Sequence, residues 1–135
     1  MARDGRSPGR IRGDYGENAA AEYLKRHGDK ILARNWRCRY GELDIIALDR
    51  DIICFVEVKT RRVNFYSGLD TIGTRPGDAV GYRKREKLRL SAALWLDARR
   101  GEYPGQDPPA RFDIAEIYIF PDDSAKIKYI KNAFE

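Results

Sequence analysis

The stretch Gly41-Glu42-Leu43-Asp44-Ile45-Ile46-Ala47, running on to Phe55-Val56-Glu57-Val58-Lys59-Thr60-Arg61, decides the fold of this 135-residue chain. It predicts the two strands of a hairpin. The polar cluster Asp49-Arg50-Asp51 between the apolar runs suits a tight turn. Both segments are apolar at nearly every residue, as strands covered on two faces are. Set into that ground are one carboxylate, Asp44, and the Glu57-x-Lys59 triplet.

Spacing has a geometric consequence. Side chains alternate across a strand, so Glu57 and Lys59 share a face while Val56 and Val58 point to the other. A loop of Arg50-Asp51, or of Asp49 to Ile52, pairs Leu48 with Ile53 and sets Asp44 opposite Glu57. Two carboxylates about 5 Å apart at Cβ can clamp a divalent cation. A three-residue loop turns Asp44 away unless a bulge corrects it. The bland alternative is an ordinary surface ion pair between Glu57 and Lys59. Apolar neighbours on both sides of every charge argue for a site instead, because charges so placed are costly without a metal or substrate.

The Asp44 carboxylate, twelve intervening residues, then Glu57-Val58-Lys59 resembles the D…E-x-K core of the restriction-endonuclease-like nuclease superfamily. More closely, Tyr40 to Ala47 with Phe55 to Arg61 resembles the YraN-like family of small uncharacterised bacterial proteins, from about Gly13 to Ile119. The archaeal Holliday-junction resolvases are relatives within that superfamily. The resemblance implies an α/β fold, a restriction-endonuclease-like mixed central β-sheet flanked by α-helices.

Composition bounds the rest. The length predicts a single domain with a real core. No apolar run approaches a membrane span and no apolar secretory core opens the chain, so the cytoplasm is the expected location and no membrane partner is expected. Net charge is +5 and the sequence pI about 9.3, which suggests a polyanionic partner. Two cysteines, Cys38 and Cys54, and one histidine, His27, are too few for a disulfide framework or a four-ligand zinc site. His27, beside Gly28 at an expected helix end, reads as a solvated capping residue.

In chain order, residues 1–12 carry four arginines and almost nothing to bury, and read as a disordered basic tail before a single domain over 13–135. Asp14 to His27 predicts a helix, with Asp14 as N-cap, Tyr15, Ala19 and Tyr23 at helical spacing, and Gly28 closing it. Glu17 keeps two readings. Asp14-x-x-Glu17 has capping-box spacing, whereas resemblance to nucleases, through Gly16-Glu17 and Ala20-Ala21, implies an acidic residue of the active site. Lys30 to Arg37 predicts a strand. Glu42 reads as a supporting or merely solvated glutamate at the strand mouth.

Beyond the hairpin, Arg62 to Asp78 reads as a long loop, a flap over the site or a disordered segment. Tyr82 to Arg100 predicts a helix with Leu88, Ala92, Trp95 and Arg99 at helical spacing, ended by Gly101. Its first half holds Arg83, Lys84, Arg85, Lys87 and Arg89, which form either a solvated face or a phosphate-contacting surface. By resemblance Lys84 is the family's recurring helix lysine. Arg111 to Phe120 predicts a strand of alternating character, similar to the family's R-F-D strand, and Ala125 to Ala133 an edge strand.

The chemistry expected is a metal-dependent DNA endonuclease, with branched or junction DNA as candidate substrates. Asp44, Glu57, Lys59 and Glu17 are the expected catalytic residues. Asp44, Glu57 and the Val58 carbonyl are the expected ligands of Mg2+, with Mn2+ as an alternative. Arg61, Arg83, Lys84, Arg85 and Lys87 are the expected nucleic-acid contacts, and a homodimer is left open. The rival expectations are a non-catalytic nucleic-acid-binding module of nuclease-like fold, and an interaction protein whose charges are structural.

Overall fold

A computed structural model describes residues 8–63, 81–102 and 108–135, with side chains from residue 14 onward. Helix α1 spans Pro8–Arg26, and strands β1 (Lys30–Cys38), β2 (Gly41–Asp49) and β3 (Ile52–Arg62) follow. Helix α2 (Tyr82–Ala98), a 3-10 turn at Arg100–Glu102, then β4 (Ala110–Ile119) and β5 (Ala125–Phe134) complete the order. The sheet runs β1-β2-β3-β4-β5. Among the described residues only β3 and β4 pair in parallel. A parallel pair needs a crossover, and α2 lies within it. The fold is thus α/β, a mixed five-stranded sheet with two helices, compatible with a restriction-endonuclease-like arrangement.

Each helix covers one face of the sheet. Ala20, Ala21 and Leu24 of α1 pack on Ile45, Ala47, Cys54, Val56, Ala115 and Ile117. Leu88, Ala92 and Trp95 of α2 pack on Leu43, Ile46, Ile53, Phe55 and Ile114. Covering both faces explains why β2 and β3 are apolar almost throughout. Among the described residues no helix is long and apolar enough to cross a membrane.

Several sequence expectations need correction. Helix α1 starts at Pro8 rather than Asp14, so residues 8–12 are helical and Asp14 lies inside the helix. Proline suits a first turn, where its missing N–H would have no partner. Residues 1–7 lie outside the described residues, as does the stretch 64–80 that holds most of the expected loop. The buried stripe of α1 is Gly16, Ala20 and Leu24, one residue on from Tyr15, Ala19 and Tyr23. Tyr15 is exposed. Small residues win because the helix lies close to the sheet. Helix α2 ends at Ala98, with Gly101 in the 3-10 turn. Strand β4 does not alternate between core and solvent: Asp113 through Ile119 are all buried, because α1 and α2 cover both its faces.

The C-terminus of α1 does follow its sequence. Gly28 takes φ 89, Asp29 N–H donates to Leu24 carbonyl oxygen and Gly28 N–H to that of Lys25. This double bond pattern is the Schellman closure that glycine permits.

Close approach of α1 to β3 makes a prediction. A Cβ on Gly16 would sit 1.8 Å from Thr60 Oγ1 and 3.0 Å from Thr60 Cβ. Rotating the hydroxyl relieves only the first clash. Gly16→Ala should therefore cost about 1–3 kcal/mol, as overpacking does, read as a lower urea midpoint. Thr60→Gly in the same background should recover part of the loss. An unchanged midpoint for Gly16→Ala would mean the helix does not sit this close.

Candidate active site

The site forms where β2 stops behaving as a regular strand. The β2–β3 ladder runs from Asp49↔Ile52 to Ile45↔Val56 through Leu48↔Ile53, the register expected of a two-residue Arg50-Asp51 loop. Arg50 takes φ 59 at the first turn position, where primed hairpin turns need left-handed backbone. Beyond Ile45 the ladder ends. Leu43 packs with the α2 cluster and Ile45 with the α1 cluster, although residues two apart should share a face. Alternation therefore breaks at Asp44. On β1 the break is met by Asn35, at φ 51, between the pairs Arg34↔Ile45 and Trp36↔Leu43.

The break redirects Asp44. It is not a ladder partner of Glu57, as simple register implied. Its Oδ2 instead accepts the N–H of Val58 at 2.9 Å, taking the place of a strand carbonyl. From there its carboxyl lies close enough to that of Glu57 for the two to be electrostatically coupled. Parity alone would have placed the two groups correctly for the wrong reason.

The electrostatics follow from this crowding. Burial first, and the Glu57 charge second, push Asp44 up to about 8. Glu57 is only 5% exposed, and Lys84 Nζ of α2 lies 2.6 Å from its Oε1, with Lys59 Nζ at 3.7 Å. Burial, then the neighbouring Lys84 ammonium, hold Lys59 below its ordinary value. Burial pulls Lys84 down too, but the bond and charge of Glu57 outweigh it and the net direction is up. The two lysines thus divide the work: Lys84 stays charged and Lys59 gives up its proton more readily.

Glu17 comes to the edge of this group. With its amide oriented to donate, Asn35 spans Glu17 Oε1 at 2.6 Å and Glu42 Oε1 at 2.7 Å. The Glu17 charge is among those that raise Asp44. Since Asp14 is within the helix, the capping-box reading of Glu17 loses its premise. Glu42 also faces Arg37 at 3.8 Å.

The basic cluster of α2 divides by helix face. Arg83, Lys84 and Lys87 line a cavity of about 380 Å³ with Tyr40, Gly41, Glu42, Leu88 and Ser91. Arg85 does not line it, and Arg89 bonds Glu86 at 2.9 Å and the Glu135 carbonyl oxygen. Arg61 is exposed near the end of β3. A larger cavity, about 520 Å³, lies at the hairpin end of the sheet beside Asp29, Asp49 and Tyr129, without Asp44, Glu57 or Lys59. Size therefore does not mark the chemistry here. His27 lines that cavity, stacks on Tyr23 and donates from Nδ1 to the Tyr23 carbonyl at 2.8 Å.

Sequence reasoning missed two buried polar groups. Asp113, fully buried, accepts from Arg111 Nε at 3.0 Å, Tyr129 Oη at 2.6 Å and Asn132 N–H at 2.8 Å. Arg111 in turn reaches Asp49 Oδ2 at 3.0 Å. The Arg111-x-Asp113 spacing, two residues apart on one strand face, was the available signal. Glu116, beside Lys59 in the β3–β4 register, accepts the Tyr118 hydroxyl, and its Oε1 is buried with no partner among the described residues. Nothing in the sequence marked it.

Among the described residues no three His, Cys, Asp or Glu side chains group so as to hold a metal. Asp44 and Glu57 offer two carboxylates, and the Val58 carbonyl is adjacent in sequence. Their fit to a cation rests on two carboxylates crowded in a buried place: burial, then the Glu57 charge, raises the Asp44 pKa, and the Lys84 ammonium already stands against Glu57.

Burial and the Glu57 charge together predict a pH dependence. Folded Asp44 holds its proton to about 8, whereas an unfolded aspartate releases it near 3.8. Between those values the folded state binds more protons, so metal-free stability falls as pH rises from the lower to the higher. Asp44→Asn should remove that slope and raise metal-free stability at neutral pH by up to about 4 kcal/mol. Denaturant curves at several pH values in EDTA check it. A variant less stable than wild type at neutral pH would contradict an Asp44 carboxyl strained by burial and the Glu57 charge.

Comparisons with known proteins agree on kinship. The model of the uncharacterised protein family UPF0102 matches residues 16–117. A UPF0102 protein of Symbiobacterium thermophilum is 47% identical over 122 residues, covering 90% of this chain and 94% of its own. Those of Nocardia farcinica and Clostridium acetobutylicum are 44% and 43% identical, covering 90% and 91% of this chain and 87% and 93% of theirs. The chain belongs to the UPF0102, or YraN-like, family, whose name carries no activity.

Proposed function

We propose that this protein is a metal-dependent endonuclease acting on DNA phosphodiesters. The observation that carries the reading is the Asp44–Glu57 carboxyl pair with two lysines upon it, set at the one place where β2 leaves its ladder. A structural ion pair needs no such break. Asp44, Glu57 and the Val58 carbonyl would hold Mg2+ or Mn2+, which favours few carboxylates and keeps several waters. When bound, the ion supplies positive charge at the scissile phosphate and lowers the pKa of a coordinated water.

The chain's own groups supply the remainder. The Val58 N–H fixes one Asp44 oxygen. Lys84 holds Glu57 from α2 and tethers the basic helix to the site. Lys59, with its lowered pKa, can take a proton from the attacking water or stabilise charge developing on the phosphate. Arg83, Lys87 and Arg61 supply phosphate contacts.

Cleavage assays on linear, single-stranded, flapped and four-way DNA with magnesium and manganese test the proposal. Metal-dependent cleavage that Glu57→Gln abolishes supports it; intact DNA throughout would leave a binding module. Glu17→Gln gives a finer check. Through Asn35 and the Asp44 field, Glu17 should support the metal site, so this variant should lower cleavage about tenfold, by analogy with the 10–100-fold cost of losing a group behind metal ligands, at unchanged melting temperature. Full activity would assign Glu17 to the scaffold.

A further inference from the structure

We propose that the cavity between Tyr40 and α2 receives one unpaired nucleotide of a DNA strand, so that single-stranded or flap-bearing DNA is the preferred substrate. The proposal rests on the nuclease reading for its DNA partner and adds the state of the strand. The lining combines three kinds of surface. Arg83, Lys84 and Lys87 bring three cations against the single carboxylate of Glu42. The half-buried Tyr40 ring and buried Leu88 bring an aromatic and an apolar wall. Gly41, at φ 141, has nothing within 4 Å of where a Cβ would stand, so the rim beside the ring is open.

A track for duplex phosphates needs only the cations, since stacked bases cannot enter a pocket. An aromatic wall with an apolar floor suits a base turned out of the stack, and the cations its phosphates. The volume, about 380 Å³, falls in the small-ligand range of roughly 300–1,000 Å³. The Arg39 guanidinium, outside the lining, stands over the Tyr40 ring at 4.9 Å from its centroid. Lys84 belongs both to this cavity and to the Glu57 contact, so the nucleotide held here would neighbour the scissile phosphate.

Fluorescence anisotropy in EDTA, where nothing is cut, tests this with a short single-stranded oligonucleotide, a blunt duplex and a flapped duplex at roughly 0.1 M salt. Single-stranded and flapped DNA should bind about tenfold tighter than blunt duplex, and Tyr40→Ala should lose about tenfold on those two alone. Tyr40→Phe should keep the preference, which separates stacking from misfolding. Equal binding of single strand and blunt duplex, no effect of Tyr40→Ala, or equal loss in both variants would overturn the pocket. The outcomes also separate from the nuclease reading. Duplex cleavage indifferent to Tyr40 sinks the pocket alone; the expected binding pattern without any metal-dependent cleavage sinks the nuclease alone.

Discussion

Lys59→Ala should lower turnover by about 10²–10³ and leave magnesium binding unchanged. Lys59 Nζ lies 3.7 Å from Glu57 Oε1, whereas Lys84 holds that oxygen at 2.6 Å. Removing Lys59 therefore leaves both carboxylates in place and Glu57 still oriented. What disappears is the amine whose burial and Lys84 neighbour lower its pKa. Lys59→Arg should not restore turnover, since a guanidinium keeps its proton and its planar fork differs from a compact ammonium. Single-turnover cleavage with manganese, beside calorimetric metal affinity, reads both halves. Wild-type turnover in Lys59→Ala, or loss of metal affinity with it, would contradict this division of roles.

Asp113→Ala should give the largest loss of stability, about 3–5 kcal/mol. The carboxylate is fully buried, and its removal leaves the Tyr129 hydroxyl and the Asn132 N–H without this acceptor and Arg111 with Asp49 alone. Removing one member of a buried polar network is costly, whereas replacing both partners by apolar groups need not be. Arg111→Met with Asp113→Leu should thus be more stable than Asp113→Ala alone. Urea unfolding measures both. An Asp113→Ala loss below about 1 kcal/mol, the scale of an exposed pair, would mean the network is solvated.

The sequence shows the hairpin clearly because two local signals coincide. Strand runs from Gly41 and from Phe55 flank a polar turn, and the observed Leu48↔Ile53 register follows. Convergence at Asp44 was legible only in outline. Its cause is a break shared with Asn35 on β1, which no local period records. The same limit hid the Asn35 bridge between Glu17 and Glu42, and the reach of Lys84 to Glu57, both contacts between distant elements. On α1, apolar spacing favoured Tyr15, Ala19 and Tyr23, yet the close-packed stripe belongs to Gly16, Ala20 and Leu24. Close approach to a sheet selects for small residues, which a hydrophobicity pattern undervalues. In β4 an alternating character was expected, but Asp113 is buried in an ion network and Glu116 is buried with a tyrosine hydroxyl bond.

Calorimetric titration of manganese into the protein with DNA present tests most directly whether Asp44 and Glu57 form a cation site. Wild type should bind in the millimolar range or tighter. Asp44→Asn and Glu57→Gln should each weaken that binding at least about tenfold, since each removes one of two charges that offset the ion. No binding by wild type at millimolar manganese, or equal binding by all three proteins, would contradict a cation site at this pair.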